Sequence, residues 1–144
     1  MRVHIACQPG GGRESAASPL TLGYHTLDAG VLITANGEVD ITNAARLETY
    51  VRRRMLSGRP VVLDLTLLTF MDSNGVRVIE RLHAACAETG STFHLSGVHG
   101  IPARLLQITG LWDVLDIHAS AADAVCAAQA GPLTAQPWTS GAAN

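Results

Sequence analysis

Residues 70–82 read FMDSNGVRVIERL. Just before them, VVLDLTLL (61–68) is a short apolar run opening on β-branched residues, the pattern of a well-buried strand. Just after DSNG, Val76, Ile79, Leu82, His83 and Cys86 fall on one helical face, and Gly90 closes the helix. A strand therefore meets a helix with no spare loop between them. One explanation is capping, in which Asp72 or Ser73 satisfies free N–H groups for about 1 kcal/mol. The other is that Ser73 is a hydroxyl held out for chemistry. A helix N-terminus welcomes a phosphate through its N–H groups and dipole, and Arg77, one turn along the same face, could reach back to it. On these residues alone both readings stand.

Outward from this junction the period of the sequence keeps changing. Residues 20–27 (LTLGYHTL) and 31–36 (VLITAN) read as two strands turning at Asp28-Ala29-Gly30. Thr42 or Asn43 can cap a helix carrying Ala44, Leu47, Val51 and Met55 on one face, ended by Ser57-Gly58. STFHLSG (91–97) alternates as a strand does, and Pro102 suits the first turn of a short helix through Ile108. VLDIHA (114–119) is a last strand, and Ser120 with Asp123 resembles a capping box for a final Ala-rich helix. The order β-β-α-β-α-β-α-β-α predicts an α/β domain with a mixed, mostly parallel sheet of about five strands and about four helices. That domain spans 20–130. Residues 1–19 and 131–144, rich in Gly, Ser, Ala and Pro, read as a flexible leader and a flexible tail.

Composition narrows the chemistry. The chain of 144 residues is 47% hydrophobic but only 4% aromatic, so its core must be aliphatic. The net charge is -2, and all 10 basic residues are arginine. No strong field favours direct nucleic-acid contact or an anionic membrane. The run Arg52-Arg53-Arg54 lies inside a helical pattern and reads as a solvated face. Having no lysine excludes a P-loop lysine, a Schiff base and the lysine of an aspartate-phosphorylated receiver. Cys7, Cys86 and Cys126 are odd in number and widely spaced, which argues against a disulfide framework and fits a reducing cytoplasm. No window approaches the ~18 apolar residues of a membrane span.

Two familiar chemistries fit poorly. The six histidines, at 4, 25, 83, 94, 99 and 118, make no helical i, i+4 pair with an acid and none neighbours a cysteine, so no metal site is expected. A small serine hydrolase built on Ser73 would need a nucleophile elbow of the form G-x-S-x-G. Met71 stands where its first glycine belongs, and no histidine is clearly placed as a base. No catalytic residue and no cofactor is expected.

With its neighbours, the junction resembles a known family. FMDSNG (70–75) is similar to the F-M-D-S-(S/T)-G signature of anti-sigma factor antagonists, the STAS-domain proteins. GEVDITNAARL (37–47) resembles the family's G-E-x-D turn into its first helix. LSGVHGIPARLLQITGL (95–111) and VLDIHASAADAV (114–125) resemble its later segments in order and spacing. The resemblance implies a non-enzymatic, cytoplasmic partner switch. Its unphosphorylated form binds an anti-sigma factor that is also a serine kinase of the histidine-kinase-like ATPase fold, and so frees a sigma factor. The kinase phosphorylates the serine matching Ser73, the complex parts, and a PP2C-type phosphatase resets it. The docking surface carried over is Asp40 and Glu38 from the turn with Asp72, Ser73 and Gly75 from the helix start, and Asn74 and Arg77 beside them are also expected to bind the partner. This chain departs at Asn74, which removes a second acceptor hydroxyl, and at Arg77, where small or apolar residues are common. A STAS scaffold or transport-accessory subunit, with Ser73 a plain cap, is the alternative within the fold.

Overall fold

The computed structural model describes residues 4–5 and 19–130. Apart from His4, Ile5 and Pro19, the expected leader and tail lie outside the described residues. The elements are β1 (His4–Ile5), β2 (Leu20–Thr26), β3 (Val31–Val39), α1 (Ala44–Arg54), β4 (Val61–Asp64), β5 (Leu68–Met71), α2 (Ser73–Glu88), β6 (Phe93–Ser96), α3 (Gly100–Ile108), β7 (Asp116–His118) and α4 (Ala121–Ala130), with a 3-10 turn at Leu111–Asp113 before β7.

The strands form one mixed sheet in the order β1-β2-β3-β4-β6-β7, with β5 paired to β3 off that path. β1–β2 and β2–β3 are antiparallel, whereas β3–β4, β3–β5, β4–β6 and β6–β7 are parallel. The mostly parallel sheet and four helices agree with the α/β class read from the sequence, but the described residues give seven strands where about five were expected: β1 falls in the segment read as a leader, and β5 is additional. Alternation along β4 shows how the two faces divide. Val61 and Leu63 belong to the large core with Leu47, Val51, Ile79, Leu82 and Leu95. Val62 faces the other way, onto Ala124 and Ala128 of α4. Helices α1 and α2 thus cover one face, and α4 covers the other.

Two departures from the sequence reading shape the functional end. The run VVLDLTLL is not one strand: it breaks at Leu65–Leu67 into β4 and β5. The Leu68 N–H donates to the Leu65 carbonyl (3.0 Å), while Leu65 and Leu68 both stay buried, so the chain turns without leaving the core. β3, read as ending at Asn36, runs on to Val39 and pairs there with β5. The register shifts between Gly37 and Glu38, a bulge at which Gly37 takes φ +109°. A Cβ at Gly37 would lie 2.4 Å from the Pro19 carbonyl oxygen, so both backbone conformation and space call for glycine.

The arginine run is solvated only in part. Arg52 pairs with Glu48 at 2.9 Å on the surface, whereas the Arg54 guanidinium lies 3.7 Å from the Tyr50 ring centroid. No helix among the described residues is long and apolar enough to cross a membrane.

Candidate functional site

The extended β3 and the new β5 place the two acidic turns side by side. Val39 is paired with Met71 in parallel register, so Asp40 and Asp72 each follow the carboxyl end of adjacent strands. In α/β sheets this edge is where partners and ligands are met. The Asp72 N–H donates to the Val39 carbonyl (3.1 Å), tying the start of α2 directly to the turn that carries Asp40.

At the helix start the capping question resolves. Asp72 is the cap: its Oδ1 accepts from the Asn74 N–H at 2.8 Å, and its Oδ2 accepts from the Asn74 side-chain amide at 3.3 Å. The Asp72 carbonyl accepts from Gly75 (3.0 Å) and Val76 (3.2 Å). Ser73 is the first helical residue, exposed, and its hydroxyl has no hydrogen-bond partner among the described residues. Capping is done beside it rather than by it. No histidine bonds it among the described residues.

Gly75 is buried, and its contribution to this surface is spacing. A Cβ there would lie 2.3 Å from Met71 Cγ and 3.2 Å from Val39 Cγ1. The missing side chain lets α2 begin directly on top of the strand ends. Arg77 is exposed one turn beyond Ser73 and forms no salt bridge among the described residues. Glu38 lies one step back in β3, opposite Phe70 of β5. Of the residues expected here, Asp40, Asp72, Ser73, Asn74 and Gly75 are brought to one end of the sheet, Glu38 borders them, and Arg77 is one helical turn away.

The facing turn is held by a residue that sequence reasoning treated as a simple cap. Asn43 occupies the cap position of α1, yet its side chain makes no capping bond. It folds back instead: its amide donates to the Glu38 carbonyl (3.0 Å), and its Oδ1 accepts from the Asp40 N–H (3.0 Å). The Asp40 carboxylate accepts from the Thr42 N–H at 2.9 Å, closing a turn locally. Asn43 is buried to 3% exposure, and losing its amide leaves two partly buried backbone groups without this partner. Asn43→Ala should cost ~1–3 kcal/mol in urea unfolding and loosen the 37–43 turn, read as faster amide exchange there. Ile41, 76% exposed beside Asp40, was also passed over, since a single apolar residue in a turn has no periodicity to betray it.

Known proteins show the same architecture. A family model described as STAS domain matches residues 24–124. The chain is 28% identical over 116 residues to the anti-sigma-F factor antagonist RsfA of Mycobacterium tuberculosis, covering 78% of this chain and 89% of that one. The crystal structure of an anti-sigma factor antagonist from Mycobacterium paratuberculosis superposes with a TM-score of 0.70 at 20% identity, over 77% of this chain and 95% of that one. An anti-sigma-factor antagonist (STAS) domain protein from Planctomyces limnophilus gives 0.64 at 16% identity, over 75% and 97%.

Proposed function

The chain belongs to the STAS domain family, and from that premise we propose that it is an anti-sigma factor antagonist switched by phosphorylation of Ser73. Unphosphorylated, it docks through the end of the sheet that carries Asp40, Ile41, Asp72 and the start of α2 onto an anti-sigma factor that is also a serine kinase. That docking frees a sigma factor. A phosphate on Ser73 breaks the complex, and a PP2C-type phosphatase restores it. Glu38, Asn74 and Arg77 border the docking surface and set which kinase is recognised.

The observation that carries this reading is the division of labour at the start of α2. Asp72 takes the capping bond, at 2.8 Å to the Asn74 N–H, and Ser73 is left exposed with an unengaged hydroxyl. Structural need therefore does not explain Ser73. A phosphate at the first helical position meets the favourable end of the dipole, so modification leaves α2 intact and acts on whatever docks there.

Incubation with ATP and the anti-sigma kinase captured from the native cytoplasm should add one phosphate, mapped to Ser73 by mass spectrometry. Ser73→Ala should accept none and should remain bound to the kinase. Phosphate appearing elsewhere, with Ser73 unmodified, overturns the assignment.

A further inference from the structure

The α4 face of the sheet carries a second polar cluster, far in sequence from Ser73 and on other elements. Leu95 of β6 belongs to the large core, so His94 and Ser96 point to the opposite, α4-covered side. β6 and β7 are parallel with His94 opposite Asp116 and Ser96 opposite His118. This register brings three donors together. His94 Nδ1 lies 2.9 Å from Asp116 Oδ2 and 3.3 Å from His118 Nε2, and His118 Nε2 lies 3.3 Å from Asp116 Oδ1.

Hydrogen bonds from the ring nitrogens to an ionised carboxylate cannot satisfy this triangle. If both ring nitrogens carry hydrogens, each can donate to the carboxylate, but the two N–H groups then oppose one another. If only one carries a hydrogen, the bare lone pair of the other faces the carboxylate. With the carboxylate ionised, every placement of the ring protons leaves at least one side of the triangle repulsive. A cation at its centre makes all three sides attractive. A tetrahedral zinc with ligands at ~2.0–2.1 Å holds its donor atoms ~3.3 Å apart; two of the three separations are 3.3 Å, and the third, to the other carboxylate oxygen, is 2.9 Å.

The surroundings are those of a built site. His94 is buried, and its remaining nitrogen, Nε2, is 3.0 Å from Thr92 Oγ1. With the proton on Nε2 and donated to Thr92, the Nδ1 lone pair points at the other two donors. This is the arrangement by which an outer hydrogen bond fixes a histidine ligand. Asp116 is more than half exposed, leaving an open side for a water as fourth ligand.

We propose that His94, Asp116 and His118 form a Zn2+ site that fastens the edge strand β7 to β6. Two imidazoles and one carboxylate in a four-coordinate setting suit zinc over Mg2+ or Ca2+, which prefer all-oxygen shells.

The test uses the full chain, stripped with a chelator and desalted, and titrated with Zn2+ against a chromogenic competitor. One Zn2+ per chain should bind and raise the unfolding temperature. Asp116 is exposed and His118 sits on the edge strand, so Asp116→Ala and His118→Ala should fold. Each should lose affinity by at least ~100-fold and show no zinc-dependent thermal shift. Thr92→Val, which removes only the outer bond, should weaken binding by ~10–100-fold. Millimolar Mg2+ should not displace the zinc. The proposal is overturned if no stoichiometric binding is seen, if both ligand variants bind as the wild type does, or if Mg2+ competes effectively. Adventitious binding at His25, His99 or Cys126 would give the second of these results.

Discussion

Phosphorylated at Ser73, the protein should bind its anti-sigma kinase at least ~30-fold more weakly than the bare form, a loss of about 2 kcal/mol or more. The source is the added charge. A phosphate brings roughly -1.5 to -2 at neutral pH, into a surface already flanked by two carboxylates. Asp40 and Asp72 sit at the ends of neighbouring parallel strands, and adjacent strands lie only ~4.8 Å apart. A partner face complementary to the bare form must accommodate those carboxylates, and the additional dianion adds like charge at the same place. Salt separates this cause from simple bulk. Repulsion between partly exposed charges shrinks as the Debye length falls from ~10 Å at 0.1 M towards ~3 Å at 1 M, whereas a steric clash does not. The affinity gap between bare and phosphorylated forms, measured by calorimetry at both salt concentrations, should therefore narrow. Equal affinities at low salt would sink the switch while leaving the fold untouched.

Arg77 adds a second handle on the same measurement. It stands one turn from Ser73, exposed and with no salt bridge among the described residues. An arginine there can fold back onto a phosphate and offset part of its charge.

The sequence made the alternation of strands and helices legible because α1 and α2 carry clean apolar stripes and the β6 segment alternates strictly. It hid β5. From Val61 to Met71 the chain is almost uniformly apolar, with no glycine or proline to mark a break. The break is made by tertiary means: the Leu65–Leu68 turn, and Thr66, whose hydroxyl donates to Asp64 at 2.7 Å. The extension of β3 past Asn36 was hidden for the opposite reason. Gly37 reads as a terminator, yet it serves as a bulge through which the strand continues. At the site, FMDSNG marked the place of Ser73 but not that Asp72 alone does the capping. The role of Asn43 depends on Glu38 and Asp40 folding around it, which no local propensity encodes. The His94–Asp116–His118 triangle is invisible along the chain, since only the pairing of β6 with β7 brings residues 22 and 24 positions apart into contact.

Gly75→Ala should destabilise the domain by ~1–3 kcal/mol, although helix propensity predicts the opposite sign. Alanine in place of a helical glycine ordinarily gains up to ~1 kcal/mol. Here the added methyl carbon meets Met71 Cγ at 2.3 Å and Sδ at 2.9 Å, with Val39 Cγ1 at 3.2 Å behind. Met71 and Val39 are both fully buried, so neither can swing into solvent, and overpacking of this kind costs ~1–3 kcal/mol. Relief must come from lifting the first turn of α2 off the strand ends, which lengthens the 3.1 Å bond from the Asp72 N–H to the Val39 carbonyl. The same displacement moves Ser73 away from Asp40, so the variant should bind the anti-sigma partner more weakly even where it is fully folded. A double-mutant cycle isolates the cause. Met71→Ala alone should cost ~2–5 kcal/mol by leaving a cavity. In that background Gly75→Ala should become neutral or stabilising, because the alanine now fills the space it formerly invaded. Equal costs for Gly75→Ala in both backgrounds, from urea unfolding, would assign the glycine to backbone conformation instead of close approach. That outcome sits badly with its ordinary helical position: Gly75 is not among the glycines of positive φ, so only the crowding above it explains why no side chain is present.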